Sequence, residues 1–244
     1  MHTPIIPIIP ALGRRQRGSL IVTIDLGASL PLLAAQRLLR CAEYRQLPVV
    51  WGVAFDRHRR LIAKIIRGKL NHELGLRLDP RLHHFASLQK RVEQFHNVGI
   101  PLQTVVAVGR NLPPAWRRRL PPLAITGIAA LPRARRQATL RGGGIRLWEV
   151  EANWRVHDPS SHHDALRRIK KQVKFAAEHR PQLLHLRISL GTLAHSLSAI
   201  DQIVVVLEMA ADYRDRGMLS ISNLSESISQ LTGIDLSPPA RLAA

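Results

Sequence analysis

A chain of 244 residues can build one domain with a sizeable core, and with 45% hydrophobic residues but no apolar run near the roughly 20 residues that cross a bilayer, it is not a helical membrane protein. Thirty-six Lys and Arg against 17 Asp and Glu give a formal charge of +19, which attracts nucleic acid, anionic lipid or acidic polysaccharide without choosing among them. A single cysteine, Cys41, excludes an internal disulfide and a CxxC metal site.

Residues 1–17 read as a basic tail. Prolines interrupt their apolar run and the arginines follow it, the reverse of a secretory signal, which predicts a cytoplasmic protein. A single domain is expected over residues 18–234, with a short tail over 235–244. "SLIVTID" is the first strand and carries one carboxylate, Asp25, out to a glycine. The helix from about Pro31 to Arg45 buries Ala35, Leu38, Leu39 and Ala42, with Cys41 as a packed thiol. "LPVVWGVAF" reads as a buried second strand that places Trp51 in the core, and "NHELGLRL" as a third. An amphipathic helix follows, with Leu82, Phe85, Leu88, Val92 and Phe95 on one face, and "IPLQTVVAVG" resumes the strand pattern.

"NLPPAWRRRLPP" predicts a short helix or loop, "LAITGIAAL" a strand broken at Gly127, and "RARRQATLRGGG" a flexible basic segment. "GIRLWEVEANWRV" reads as one alternating strand, which would put Trp148 and Trp154 on the same face. From His162 to Glu178 a stripe of Leu166, Ile169, Val173 and Ala177 marks an amphipathic helix with a strongly basic exterior. "PQLLHLRISL" is a strand and "SAIDQIVVVLEMAADYRDRG" a long helix ending at Gly217. Asn223 with Glu226 predicts a capping box at the start of the last helix. Strands alternating with helices point to parallel strands and crossover helices, and about seven strands suit a βα barrel one unit short of eight.

The order of these segments resembles the polysaccharide deacetylase family, the NodB homology domain. "TIDLG" stands for its first-strand motif, "LPVVWGV" for its second strand and "HELGLRL" for its histidine motif, while "YRDRGML" and "NLSESISQL" match its closing segments. The resemblance implies an α/β fold, a distorted seven-stranded (β/α) barrel with a groove at the C-terminal strand ends. It also implies removal of acetyl groups from sugars through a divalent metal, usually zinc, held by an aspartate and two histidines. Another aspartate acts as base and a histidine near the last strand as acid.

Under the resemblance Asp25 matches the base and His185 lies on the strand of the acid, so these are the candidate catalytic residues. His72, Glu73, Arg77, Trp148 and Trp154 are the candidate groove. The metal positions are occupied by Leu26, Arg77 and Arg81, and guanidinium repels a divalent ion where it should bind one. His83 and His84 could serve as displaced ligands only by facing one site from adjacent helical positions about 100° apart. No metal and no cofactor are therefore expected, and an Asp25–Arg77 ion pair is expected across the former metal position.

The leading expectation is a degenerate deacetylase acting as a carbohydrate-binding or scaffold protein in polysaccharide metabolism, with an acidic polysaccharide or a carbohydrate-enzyme as partner. One alternative is an active deacetylase or hydrolase with a rearranged site, such as an Asp25–Glu73 carboxylate pair. A basic nucleic-acid-binding protein is the other, supported by charge alone.

Overall fold

The computed structural model describes residues 17–27, 32–68, 70–81, 86–109, 112–131, 140–143, 147–156, 162–179, 182–193 and 196–233. The chain opens with β1 (Gly18–Asp25), α1 (Leu32–Tyr44), β2 (Val50–Val53), α2 (Phe55–Arg67), β3 (Glu73–Leu78), α3 (Ala86–Asn97) and β4 (Thr104–Ala107). Next come α4 (Pro114–Arg119), β5 (Gly127–Ala130), β6 (Leu140–Gly143), β7 (Leu147–Glu151), β8 (Trp154–Val156) and α5 (His162–Glu178). It closes with β9 (Leu183–Ser189), the single turn α6 (Leu190–Leu193), α7 (Leu197–Asp215), β10 (Leu219–Ile221) and α8 (Leu224–Thr232).

The sheet runs in the order β6-β7-β5-β4-β3-β2-β1-β9-β8, parallel except for β6 on β7, with β10 paired to the start of β1. β7 pairs with β5 and β8 with β9, and only Ala152 and Asn153 separate β7 from β8 in the chain. These two short strands form one stave that brings the ends of the sheet together. The result is a distorted seven-stranded (β/α) barrel.

Alternation along each strand divides the core into two layers. Leu20, Val22, Ile24 and Leu26 of the first strand and its exit face outward onto α1, α5 and α7, in one large cluster with Leu38, Leu39, Val173, Ile203 and Leu207. Ile21, Val50, Val106, Ala129 and Val150 face inward and pack with Leu224 and Ile228, so α8 plugs the N-terminal end of the barrel. The interior is tight: a Cβ at Gly75 would lie 2.8 Å from Val106, so glycine is needed where β3 passes that side chain.

Three sequence expectations change. "LPVVWGVAF" does not continue as a strand to Phe55, because the chain enters α2 there and buries His58, Leu61, Ile62 and Ile65 along one stripe. Trp148 and Trp154 do not share a strand or a face, because the break at Ala152–Asn153 intervenes. Trp148 packs with the inner layer and Trp154 with the outer. The segment read as flexible contains β6, antiparallel to β7, while residues 132–139 lie outside the described residues. Leu82 and Phe85 also lie outside them, and α3 is described from Ala86. Trp51 is fully buried, and Cys41 packs against the outer layer, with burial and then Glu208 pushing its thiol up to about 11.

Candidate functional site

β1 delivers Asp25 to the interior at its C-terminal end, in register with Gly52 of β2 and Ser189 of β9. Both carboxylate oxygens are occupied. Arg77 Nε donates to Oδ1 at 2.8 Å, the Gly27 N–H donates to the same oxygen at 3.1 Å, and Arg187 Nη2 donates to Oδ2 at 2.9 Å. The ion pair between Asp25 and Arg77 expected from the sequence is thus present, but it is half of a larger cluster.

Arg187 is the residue that the sequence reading missed. It lies on β9 within an apolar run, 1% exposed, and its Nη1 crosses the barrel to the carbonyls of Ala107 on β4 at 2.6 Å and Ala129 on β5 at 3.2 Å. Asp25, by contrast, comes from β1, so three parts of the barrel wall meet on one guanidinium. Arg155 extends the cationic row, donating through Nε to Ser189 Oγ at 3.2 Å. Burial pushes the Asp25 pKa upward, but Arg187 and Arg77 outweigh it and hold the carboxyl below its ordinary value. Burial pulls the Arg187 pKa down, and Asp25 opposes that pull.

The expected catalytic pair does not assemble. His185 sits four positions before Ser189 on β9, about 13 Å along the strand. Its Nε2 meets Thr23 Oγ1 at 2.9 Å in the buried interior, and burial, reinforced by Arg187, drives its pKa down to about 3. A neutral imidazole deep in the barrel is placed to hold Thr23 and not to reach Asp25.

The expected groove also separates into parts. Arg77 belongs to the cluster above, whereas His72 and Glu73 stand at the opposite, N-terminal end of β3. Glu73 accepts from Thr104 Oγ1, from the Ser225 N–H at 2.9 Å and from Ser225 Oγ at 2.9 Å, so it anchors the N-terminus of α8. Burial raises its pKa against those bonds. It therefore forms no carboxylate pair with Asp25. His72 accepts the Val49 N–H on Nδ1 at 3.3 Å, and burial lowers its pKa to about 4. His72, Glu73, Gln103, Ser225 and Glu226 line a cleft of about 630 Å³ at this end, which among the described residues has no Lys or Arg in its wall. Trp148 and Trp154, on separate layers, do not join it.

A zinc centre of the kind the sequence resemblance implies needs three donor side chains around an open position. Among the described residues no three His, Cys, Asp or Glu side chains come together in that way. Leu26 is buried in the outer layer, Arg77 is committed to Asp25, and Arg81 is an exposed turn residue whose backbone N–H donates to Asp79. His83 and His84 lie outside the described residues. The described donor set does not fit the metal.

No family model matches the chain, and no curated protein does. Solved structures do. A Mycobacterium smegmatis protein described as a polysaccharide deacetylase superposes with a TM-score of 0.70 at 14% identity, covering 96% of this chain and 97% of that one. The chitin deacetylase of Colletotrichum lindemuthianum gives 0.52 at 12%, covering 94% and 93%. A 4-alpha-glucanotransferase from Thermococcus litoralis gives 0.58 at 12%, covering 89% of this chain but 41% of that one. The chain has the fold of the polysaccharide deacetylases, and the glucanotransferase likeness shows that this barrel is not confined to one chemistry.

Proposed function

We propose that this protein is a degenerate deacetylase-fold protein that binds carbohydrate, or holds a carbohydrate enzyme in place, without metal-dependent deacetylation. The observation that carries the reading is the state of Asp25: both of its oxygens are bound by guanidinium groups, where a base must be free to accept a proton. A carboxylate held below its ordinary pKa by Arg187 and Arg77 is a weak proton acceptor, and Arg77 brings positive charge to a position where the family's metal would bring its own. Within a carbohydrate-binding reading, the formal charge of +19 suits an acidic chain better than a neutral one. Among the described residues no helix is long and apolar enough to cross a membrane.

The test is elemental mass spectrometry of the purified, tag-free protein, together with acetate release from acetylated chito-oligosaccharides and acetylated xylan with and without added zinc. The expected result is neither bound metal nor acetate. Near-stoichiometric metal with acetate release would overturn the reading.

A further inference from the structure

The cleft at the N-terminal strand ends lies away from Asp25 and shares no residue with the cluster there. Its volume of about 630 Å³ is that of a small-molecule site. One side is aliphatic: Ile65 and Ile66 come from the last turn of α2, and Val98, Ile100 and Pro101 follow α3. Ile66 is 52% exposed and Val98 56%, so apolar surface is left open at the lip. The other side is amide and hydroxyl: Asn71 and Gln103 stand just before β3 and β4, and Ser225, Ser229 and Gln230 belong to α8.

Two polar groups of this wall are without partners. His72 accepts the Val49 N–H on Nδ1, which puts its own proton on Nε2, and that nitrogen is buried and meets no acceptor. The Trp51 ring packs edge to face against the imidazole, 6.0 Å between centroids, and helps to fix it in place. The exposed side-chain amide of Gln230 has no partner among the described residues. Charge narrows the ligand. In a chain with 36 Lys and Arg, none of the described ones lines the cleft, whereas Glu73 and Glu226 do. An anion would meet carboxylates there and no counter-charge. β3 and β4 are each paired on both sides, so an extended peptide finds no strand edge to join. No Phe, Tyr or Trp among the described residues lines the cleft for a nucleobase to stack on. What fits is an uncharged molecule with hydroxyls that both donate and accept, and a C–H face for the aliphatic side.

We propose that this cleft binds an uncharged saccharide unit. The Nε2–H of His72 donates to a sugar oxygen, the Gln230 amide bonds a hydroxyl, and Ile66 and Val98 cover the C–H face. The assignment rests on the carbohydrate-binding reading above and deepens it, giving the ligand a class and a place. That place is the end of the barrel opposite the groove that the resemblance implies. The overall charge gathers acidic polymer over the whole surface, while the cleft selects an uncharged unit. Because α8 supplies one wall, a bound saccharide also holds that helix against the barrel.

The experiment is titration calorimetry of the full chain with three neutral probes, N-acetylated chitotetraose, xylotetraose and maltotetraose, and with tetragalacturonate as the charged one. At least one neutral probe is expected to bind, and tetragalacturonate not to displace it. Gln230→Ala should weaken that binding about fivefold, and Ile66→Asp with Val98→Asp more than about tenfold. All three positions are exposed, so these variants leave the core intact. Leu33→Asp, the same kind of change at a 79% exposed position on α1, should alter affinity by less than about twofold. The bound probe should also slow amide exchange in the first turn of α8. A loss in Leu33→Asp equal to that in the cleft variants would make the binding diffuse and overturn the site, as would full binding in the Ile66 and Val98 double variant. Tetragalacturonate binding alone, indifferent to the cleft variants, overturns the site and leaves the carbohydrate-binding reading in force. A protein that takes up none of the three neutral probes overturns the site as well. Bound metal with acetate release removes the degenerate reading, and the cleft variants then decide the site by themselves.

Discussion

At the C-terminal end of the strands a buried carboxylate, Asp25, is met by side chains from β3 and β9, and the cluster holds more positive than negative charge. At the N-terminal end another carboxylate, Glu73, is met by the Thr104 hydroxyl of β4 and by the hydroxyl and N–H of Ser225 at the start of α8, and none of these donors is a cation. The first arrangement leaves net charge that can act on a ligand. The second satisfies an anion with neutral donors and a helix N-terminus, and so fastens a plug. The polarity of a site depends on what satisfies its carboxylate, and the two ends of this barrel differ in that respect.

The contrast between the two ends rests most heavily on Arg187. Arg187→Met removes every bond from that guanidinium and leaves Asp25 with Arg77 and the Gly27 N–H, both on Oδ1, which should cost about 3–5 kcal/mol in urea unfolding. Adding Asp25→Leu should recover most of the loss, because the uncompensated charge is then gone. If the double variant is no more stable than the single one, the cluster is not an ion pair in energetic terms.

The next effect is in pH. His58, His72 and His185 have folded pKa values of about 4, about 4 and about 3, below the ordinary 6.5. The unfolded chain then binds more protons than the native state once pH falls below 6.5, so stability should drop between pH 6.5 and 4. Asp25, held below 3.8, keeps its contribution through that window and loses it only at lower pH. Urea midpoints measured from pH 7.5 to 4.5 test this, and a flat profile would contradict the burial of the imidazoles.

At the other end the effects are smaller. Asn223→Ala removes the cap in which Asn223 accepts the Glu226 N–H at 2.8 Å, and should cost about 1 kcal/mol while speeding amide exchange in α8. Glu73→Gln keeps the shape but weakens the acceptor, and about 1–2 kcal/mol is expected with the same exchange signature. The smallest change belongs to the surface. Asp164→Asn, which breaks an exposed pair with Arg167 at 3.5 Å, should alter stability by less than about 0.5 kcal/mol.

Periodicity made most of the frame legible: β1, α1, α5, α7 and the capping box of α8 follow from apolar spacing and cap chemistry that act within a few residues. α2 was hidden because Ala54 and Phe55 prolong an apolar strand, although His58, Leu61, Ile62 and Ile65 do keep helical spacing beyond it. In the site, Asp25 and Arg77 could be paired from motif positions, whereas Arg187 could not. Nothing local marks an arginine inside "LLHLRISL" as buried, since its acceptors stand on strands 58 to 162 residues earlier. His72 and Glu73 were misplaced for a related reason. Their neighbours in sequence belong to the strand of Arg77, but Glu73 is held by α8, from the far end of the chain.

The bond between Arg187 and Asp25 also has a consequence for how the chain is made. The two residues are 162 positions apart, so at ribosomal speeds of about 5–20 residues per second Asp25 waits about 8–30 s for its main counter-charge to be synthesised. During that interval burying β1 would desolvate a carboxylate with no counter-charge but Arg77. Closure of the barrel is thereby deferred until β9 has left the ribosome, and a nascent chain stopped short of Arg187 should remain open to protease along β1.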